Sequence, residues 1–141
     1  MEFRVAEADW RVRETDLMVV RNAVFVDEQG VPPELESDGR DAEATHFLAT
    51  DEFGNPVGTA RLLADGQIGR IAVLPEFRRR GIARRLLGLA MDSARARGDR
   101  RVWLHAQTDA TGLYLQAGFR FVGERFMEAG ILHIGMERDL A

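Results

Sequence analysis

The sequence predicts a mixed α/β fold, a mostly antiparallel sheet with one parallel strand pair and helices on both faces. Its apolar patterning gives the order β-α-β-β-β-α-β-α-β-β. The clearest helix, from about Gly81 to Arg97, has a strand on each side, and strands joined through a crossover helix run parallel. Tight turns at residues 51–56 and 65–66 instead indicate antiparallel hairpins.

The first elements follow from local patterns. Residues 3–8 alternate apolar and polar side chains, the period of a half-buried strand. A helix is predicted from near Asp16 to Glu28, with its apolar residues on one face, and Gly30 with two prolines ends it. Residues 34–41 are acidic and are expected to form a loop.

The centre of the chain is predicted to contain three strands, at residues 45–50, 57–63 and 67–74. The long helix then buries one apolar stripe, formed by Ala83, Leu86, Leu87, Ala90, Met91 and Ala94. A strand at 101–105 and a short helix at 108–117 follow. The last two strands are predicted at 119–126 and 132–138.

Composition limits the classes of function. The chain has 141 residues, 45% of them hydrophobic and 30% charged, as expected of one globular domain over residues 1–141. A net charge of −4 argues against nucleic-acid binding, and no apolar run reaches the ~20 residues of a membrane span. The absence of cysteine excludes a cysteinyl intermediate and cysteine-based zinc sites, and is typical of a reducing, cytoplasmic location.

Positive charge is concentrated at the start of the long helix. Five arginines lie there: Arg78, Arg79, Arg80, Arg84 and Arg85. Cations are unfavourable at this end because the helix dipole is already positive there. A bound anion removes the conflict, since free N–H groups, a glycine at Gly81 and guanidinium groups together form a phosphate cradle. The alternative is a solvated basic helix end.

The spacing Arg78-x-x-Gly81-x-Ala83 resembles the pyrophosphate-binding signature of the GNAT acetyltransferases, (Gln/Arg)-x-x-Gly-x-(Gly/Ala). Neither a P-loop nor a dinucleotide-binding fingerprint is present. The resemblance implies that acetyl-CoA is the donor and that the parallel strands splay apart around its pantetheine arm. It assigns donor binding to Ile71, Ala72, Val73, Arg78, Arg79, Arg80, Gly81, Ile82, Ala83, Arg84, Gln107 and Tyr114.

A second signature, Leu113-Tyr114-x-x-x-Gly118-Phe119, resembles the GNAT (Leu/Phe)-Tyr-x-x-x-Gly-Phe motif. It implies that the hydroxyl of Tyr114, the only tyrosine, protonates the departing thiolate. A core tyrosine packing near Phe119 is the structural alternative. The run from Val24 to Pro32, VFVxEQGVP, is similar to a small bacterial branch of the family.

The acceptor side is predicted from residue types alone. His133, and after it Glu128, are the candidates for deprotonating the acceptor amine, and Glu28 and His46 are candidates for contacting it. His105 is expected to be a packed residue with its hydrogen bonds satisfied within the protein. The acidic loop could attract an amine cation, although a solvated loop is the simpler interpretation.

The sequence therefore predicts an acetyl-CoA-dependent N-acetyltransferase acting on a small-molecule or peptide primary amine in a ternary complex. No metal, nucleic acid or membrane is expected to take part, and a homodimer is possible. Two alternatives stay open at this point. One is a non-catalytic acyl-CoA-binding or regulatory module of the same fold; the other is a nucleotide-binding protein that shares only the basic loop.

Overall fold

Two antiparallel sheets form the centre of the protein in a computed structural model, which describes residues 2–140. The first sheet has the order β1-β2-β3-β4, with β1 (Arg4–Ala8), β2 (Thr45–Thr50), β3 (Pro56–Leu62) and β4 (Ile68–Val73). The second has the order β5-β7-β6, with β5 (Arg101–Gln107), β6 (Arg120–Glu128) and β7 (Ile131–Asp139).

The helices are α1 (Trp10–Arg21), α2 (Pro33–Glu36), α3 (Ile82–Ala96) and α4 (Gly112–Gln116). The first begins earlier than the predicted start near Asp16, because the Asp9 carboxylate caps it by accepting from the Arg11 N–H at 2.9 Å. It continues as a π-helical segment, Asn22–Glu28. No helix in the described part of the chain is long and apolar enough to span a membrane.

Helices cover both faces of the first sheet. The apolar stripe of α3 packs on one face, where β3 comes so close that a Cβ at Gly58 would lie 3.1 Å from Ile82 and from Leu86 side-chain atoms. On the other face, Val20 and Val24 of the first helix pack on Ala72 of β4. The mixed α/β class predicted from the sequence is confirmed.

The strands β4 and β5 meet at one point. A parallel bridge joins Gln67 to Trp103, and the Trp103 N–H donates to the Gly66 carbonyl at 3.1 Å. Beyond this bridge the described residues contain no ladder between the two strands, so β4 is an edge strand of its sheet. That β4 and β5 splay apart stays a prediction. The unpaired edge of β4 has free main-chain groups that can bind a peptide-like ligand.

The acidic loop is not solvated as the sequence suggested. Arg21 is 1% exposed and donates from Nε to the Glu36 carboxylate at 2.8 Å and from Nη1 to the Asp41 carboxylate at 2.8 Å. These contacts satisfy charges that would otherwise be costly to bury. They tie the segment after the first helix to that helix.

Two further arginines complete this ion-pair network from β3 and β4. Arg61 donates to Asp38 at 2.8 Å and to Asp41 at 3.0 Å, and Arg70 donates to Glu36 at 2.9 Å. Burial raises the pKa of Asp38, but the hydrogen bonds from Arg61 and from the Arg40 backbone outweigh it and lower the pKa to about 2. These carboxylates are neutralised within the protein, and the predicted attraction of a free amine cation is not supported.

Candidate active site

A cleft of about 1230 Å³ opens between β4 and β5. It is lined by every residue predicted to bind the donor except Arg80, and also by Glu128 and His133. Arg80 lies instead at a small surface depression beside Phe3 and Arg85. Glu28 and His46 do not line the cleft. One cavity therefore brings together the arginine loop, Tyr114 and the acid–base candidates.

The arginine loop ends in an open helix start. Gly81, immediately before α3, has φ 77° and ψ 10°, the left-handed conformation that glycine adopts at little cost. A Cβ built on Gly81 would meet no protein atom within 4 Å, and no side chain caps the helix. The first amide N–H groups of α3 have no carbonyl of a preceding turn to bond, so they can bind an anion that approaches over Gly81.

The guanidinium of Arg78 is already occupied by protein groups. It binds the Glu28 carboxylate with two hydrogen bonds of 2.8 and 2.6 Å, and its Nε donates to the Val73 carbonyl at 2.9 Å. The hydrogen bonds from Arg78 lower the pKa of Glu28. This pair therefore braces the loop against β4 and the end of the π-helical segment. These contacts use three of the five guanidinium N–H donors, and both side chains remain 40% exposed.

The other arginines of the loop differ in their contacts. Arg84 donates to the Gln116 side chain on α4 at 2.8 Å. Arg79 has φ 65° and, like Arg80, makes no side-chain hydrogen bond or ion pair within the described chain. Arg79 is therefore the cleft arginine of this loop whose guanidinium is available to an anion.

Tyr114 lies on α4 and lines the cleft. Its ring packs edge-on against Phe119, with the centroids 6.0 Å apart, so the packing role considered as an alternative is also real. Burial raises the pKa of Tyr114 to about 12, so the hydroxyl keeps its proton at neutral pH. It has no hydrogen-bond partner among residues 2–140 and can donate to a ligand.

Gln107 ends β5 on the cleft side. Its Nε2 donates to the Gln29 side-chain oxygen at 2.9 Å, which links β5 to the end of the first helix. Gln107 is thus held by a protein contact, beside the residues expected to meet the pantetheine arm.

Glu128 lines the cleft and lies between two imidazoles. Its Oε1 is 3.1 Å from His105 Nδ1, and its Oε2 is 3.7 Å from His133 Nε2. Phe126 separates the two rings, edge-on to His105 and stacked on His133. Glu128 was expected in a loop, but it ends β6, and a two-residue turn with φ 52° at Ala129 and 77° at Gly130 follows.

His105 is packed and bonded as expected, but it lies on the cleft face of β5 and not in the buried core. On β5 the alternate residues Val102, Leu104 and Ala106 are buried, whereas Trp103, His105 and Gln107 point the other way and are partly exposed. His105 therefore lies on the same face as Gln107, two residues away, and lines the cleft. Side chains two residues apart on a strand lie on the same face, so the predicted cleft position of Gln107 could have indicated that His105 faces the cleft.

The expected position of His46 at the cleft rim is wrong. Its side chain is 1% exposed and stacks on Trp10, with the ring centroids 4.7 Å apart. Its Nε2 lies 2.8 Å from the Asp41 carbonyl oxygen, and burial lowers the pKa of His46. His46 is a buried structural residue under the first helix.

Comparison with known proteins agrees with this geometry. Residues 13–140 match the family model described as the acetyltransferase (GNAT) domain. This match covers far more than half of the chain, so the protein belongs to the GNAT family and is an acyltransferase. The predictions of the family and of the enzyme class are confirmed. Enzymes of this fold use acetyl-CoA or another acyl-CoA.

Individual relatives span nearly the same length. The chain is 36% identical over 128 residues to a Bacillus subtilis protein named as the uncharacterised N-acetyltransferase YjcF, covering 88% of this chain and 91% of that protein. The structure of Escherichia coli ElaA matches with a TM-score of 0.84 at 28% identity, covering 97% and 99% of the two chains. A Pseudomonas aeruginosa acyl-CoA N-acyltransferase matches with a TM-score of 0.83 at 29% identity, with the same coverage.

Proposed function

We propose that this protein transfers the acetyl group of acetyl-CoA directly to a primary amine bound in the same cleft. The proposal rests on the protein groups that line that cleft. An uncapped helix start beside Gly81, the protonated hydroxyl of Tyr114 and the cluster around Glu128 all line one cavity. A phosphate site, a leaving-group donor and a proton acceptor are the three parts that such a transfer requires.

The donor would bind along the unpaired edge of β4. Ile71, Ala72 and Val73 line the cleft, and the pantetheine amides have the N–H and C=O spacing of a peptide strand, so they would pair with the main chain here. The diphosphate would lie over Gly81 on the first amides of α3, with the Arg79 guanidinium beside it. Arg78 contributes by bracing the loop through Glu28 and Val73.

The chemistry is a direct displacement. The neutral amine nitrogen attacks the thioester carbonyl carbon, a C–N bond forms, and the C–S bond breaks to release the thiolate. The nitrogen then loses its extra proton, which water carries to the thiolate, and coenzyme A leaves as the thiol. We assign a main-chain N–H of β4 near Val73 as the hydrogen-bond donor to the thioester carbonyl oxygen. This donor stabilises the negative charge that develops on that oxygen.

Tyr114 would stabilise the departing thiolate by donating a hydrogen bond. Its pKa of about 12 lies above the ~8.5 typical of a free thiol, so full proton transfer from the tyrosine to the thiolate would be uphill. A hydrogen bond needs no such transfer and favours the charge that builds on sulfur. Its effect is largest in the transition state and after it, which is what catalysis requires.

The proposal is tested by measuring coenzyme A release with acetyl-CoA and a panel of primary amines such as spermidine, glucosamine, tyramine and Nα-acetyl-lysine. We expect release to require an amine, and mass spectrometry to find the acetylated product. Initial velocities against both substrates should give intersecting lines, as a ternary complex requires. Parallel lines, or equal release without any amine, would contradict direct transfer.

A further inference from the structure

The proton positions on the two cleft histidines follow from their partners. His133 Nδ1 lies 2.7 Å from the Ile131 carbonyl oxygen, which can only accept, so Nδ1 carries a proton. The remaining nitrogen, Nε2, faces Glu128 at 3.7 Å, and the His133 side chain is only 9% exposed. A neutral His133 therefore has its lone pair directed at a carboxylate within the protein.

His105 has the opposite arrangement. Its Nδ1 lies 3.1 Å from the Glu128 carboxylate, which accepts from an N–H at that nitrogen. The lone pair of the neutral ring is then on Nε2, and the side chain is 31% exposed, more than three times as exposed as His133. Trp103 and Phe126 pack against the ring, with centroids 5.4 and 4.8 Å away, and restrict its rotation.

We propose that His105 is the general base of the reaction and that Glu128 is its positioning residue; the inference rests on the proposed function. An alkylammonium acceptor loses its proton to His105 Nε2, and the electron pair left on nitrogen attacks the thioester. The imidazolium formed is stabilised by Glu128, which accepts from its Nδ1–H, and its new proton then leaves to water. A histidine oriented by a carboxylate is the arrangement that general-base catalysis uses elsewhere.

The other candidates at this site are less suited to the role. His133 is more buried, and its only lone-pair nitrogen faces Glu128 rather than the open cleft. Both oxygens of Glu128 are directed at imidazoles. Of the other charged groups that line the cleft, Glu36, Asp38, Arg61 and Arg70 are paired with one another. Asp109 also lines the cleft, but it is exposed and bonds to neither imidazole in the described chain.

The first test needs neither acceptor nor turnover. In ¹⁵N-histidine-labelled protein, NMR should show neutral His105 protonated at Nδ1, with the lone pair on Nε2. The Glu128→Ala variant should lose this preference, because the acceptor of the Nδ1–H is gone. A neutral His105 protonated at Nε2 in the wild type would overturn the proposal.

The second test uses the amine from the panel that is acetylated fastest. In the wild type kcat/KM should rise with pH, because only the neutral form of the base can accept the proton. His105→Gln, and His105→Asn as a second variant, should lose this rise and lower kcat by roughly 10²–10⁴-fold, with KM for acetyl-CoA little changed. His133→Gln should keep the rise, and Asp92→Asn on the exposed face of α3 should match the wild type.

The outcomes separate this inference from the proposed function. If the wild type acetylates no amine, the proposed function fails while the NMR result still reports on the His105–Glu128 pair. If the wild type is active and the rise survives in folded His105→Gln, His105 is not the base. Loss of the rise in His133→Gln alone would transfer the role to that residue and overturn the inference.

Discussion

Replacing Gly81 with valine tests the phosphate site directly. Gly81 has φ 77° and ψ 10°, a conformation that a β-branched residue rarely adopts, so the change should destabilise the fold by about 1–3 kcal/mol. No protein atom lies within 4 Å of the Cβ position, so no further clash is expected inside the protein. The valine side chain would instead occupy the space over the first amides of α3.

The expected effect on ligand binding is large enough to measure. A ligand at 100 times its Kd stabilises a protein by ~2.7 kcal/mol. For a domain of this size 1 kcal/mol corresponds to about 2–4 °C in Tm, so saturating coenzyme A should raise the Tm of the wild type by roughly 5–11 °C. Gly81→Val should abolish this increase, because the diphosphate can no longer approach the helix start.

The chain offers a matched control at Gly54, in the turn between β2 and β3. Gly54 has φ 83°, no atom within 4 Å of its Cβ position, and no place in the cleft lining. Gly54→Val should therefore lower the Tm of the unliganded protein by a similar amount and keep the full coenzyme A shift. The assay is a thermal unfolding titration of the wild type and both variants with coenzyme A.

Two results would refute the reasoning. If Gly81→Val keeps the wild-type shift, the ligand phosphates do not bind over Gly81. If Gly54→Val also loses the shift, the loss reflects general destabilisation and not a blocked site.

Two further predictions concern single side chains. Tyr114→Phe keeps the ring packed on Phe119 and removes only the hydroxyl; kcat in the coenzyme A release assay should fall by roughly 10²–10³-fold with little change in KM for acetyl-CoA, and unchanged turnover would exclude the leaving-group role. Asp38 has its pKa lowered from 3.8 to about 2 in the folded protein, so it adds stability that is present above pH ~4 and is lost as the pH falls towards ~2. Asp38→Asn should lower the free energy of unfolding by about 2 kcal/mol at pH 7, and this difference should shrink as the pH falls from ~4 to ~2. The measurement is urea unfolding of both proteins across this pH range. A difference that does not change with pH would show that the ion pairs of Asp38 do not provide this stability.

Prediction from the sequence succeeded where the signal lay within one short segment. The arginine loop, Gly81 and α3 were recognisable because a strand, a turn and a helix start follow one another directly in the chain. The helix carrying Tyr114 was found for the same reason. The start of α1 was placed too late, because the cap at Asp9 and the outward-facing residues of its first turns weaken the apolar pattern.

The acid–base site was less accessible to the same reasoning. Glu128 and His133 were predicted there and line the cleft, but His105 was expected only to be packed, although its strand alternates cleanly between buried and exposed positions. His46 was assigned to the cleft, although Trp10 covers it from another element. Residue type and strand position do not reveal which face of a sheet a second element covers.

The sequence by itself determined the family, the mixed α/β class and the helix start over which a phosphate can bind, since each depends on residues that are close along the chain. Only the tertiary structure brought His105 and Glu128 together in the cleft. His105 and Glu128 are 23 residues apart and meet because both β5 and β6 pair with β7 in a particular register. Arg21 likewise meets carboxylates 15 and 20 residues away. Such contacts depend on how the strands and helices pack, and a distance of 3 Å between two side chains is not encoded in any one segment.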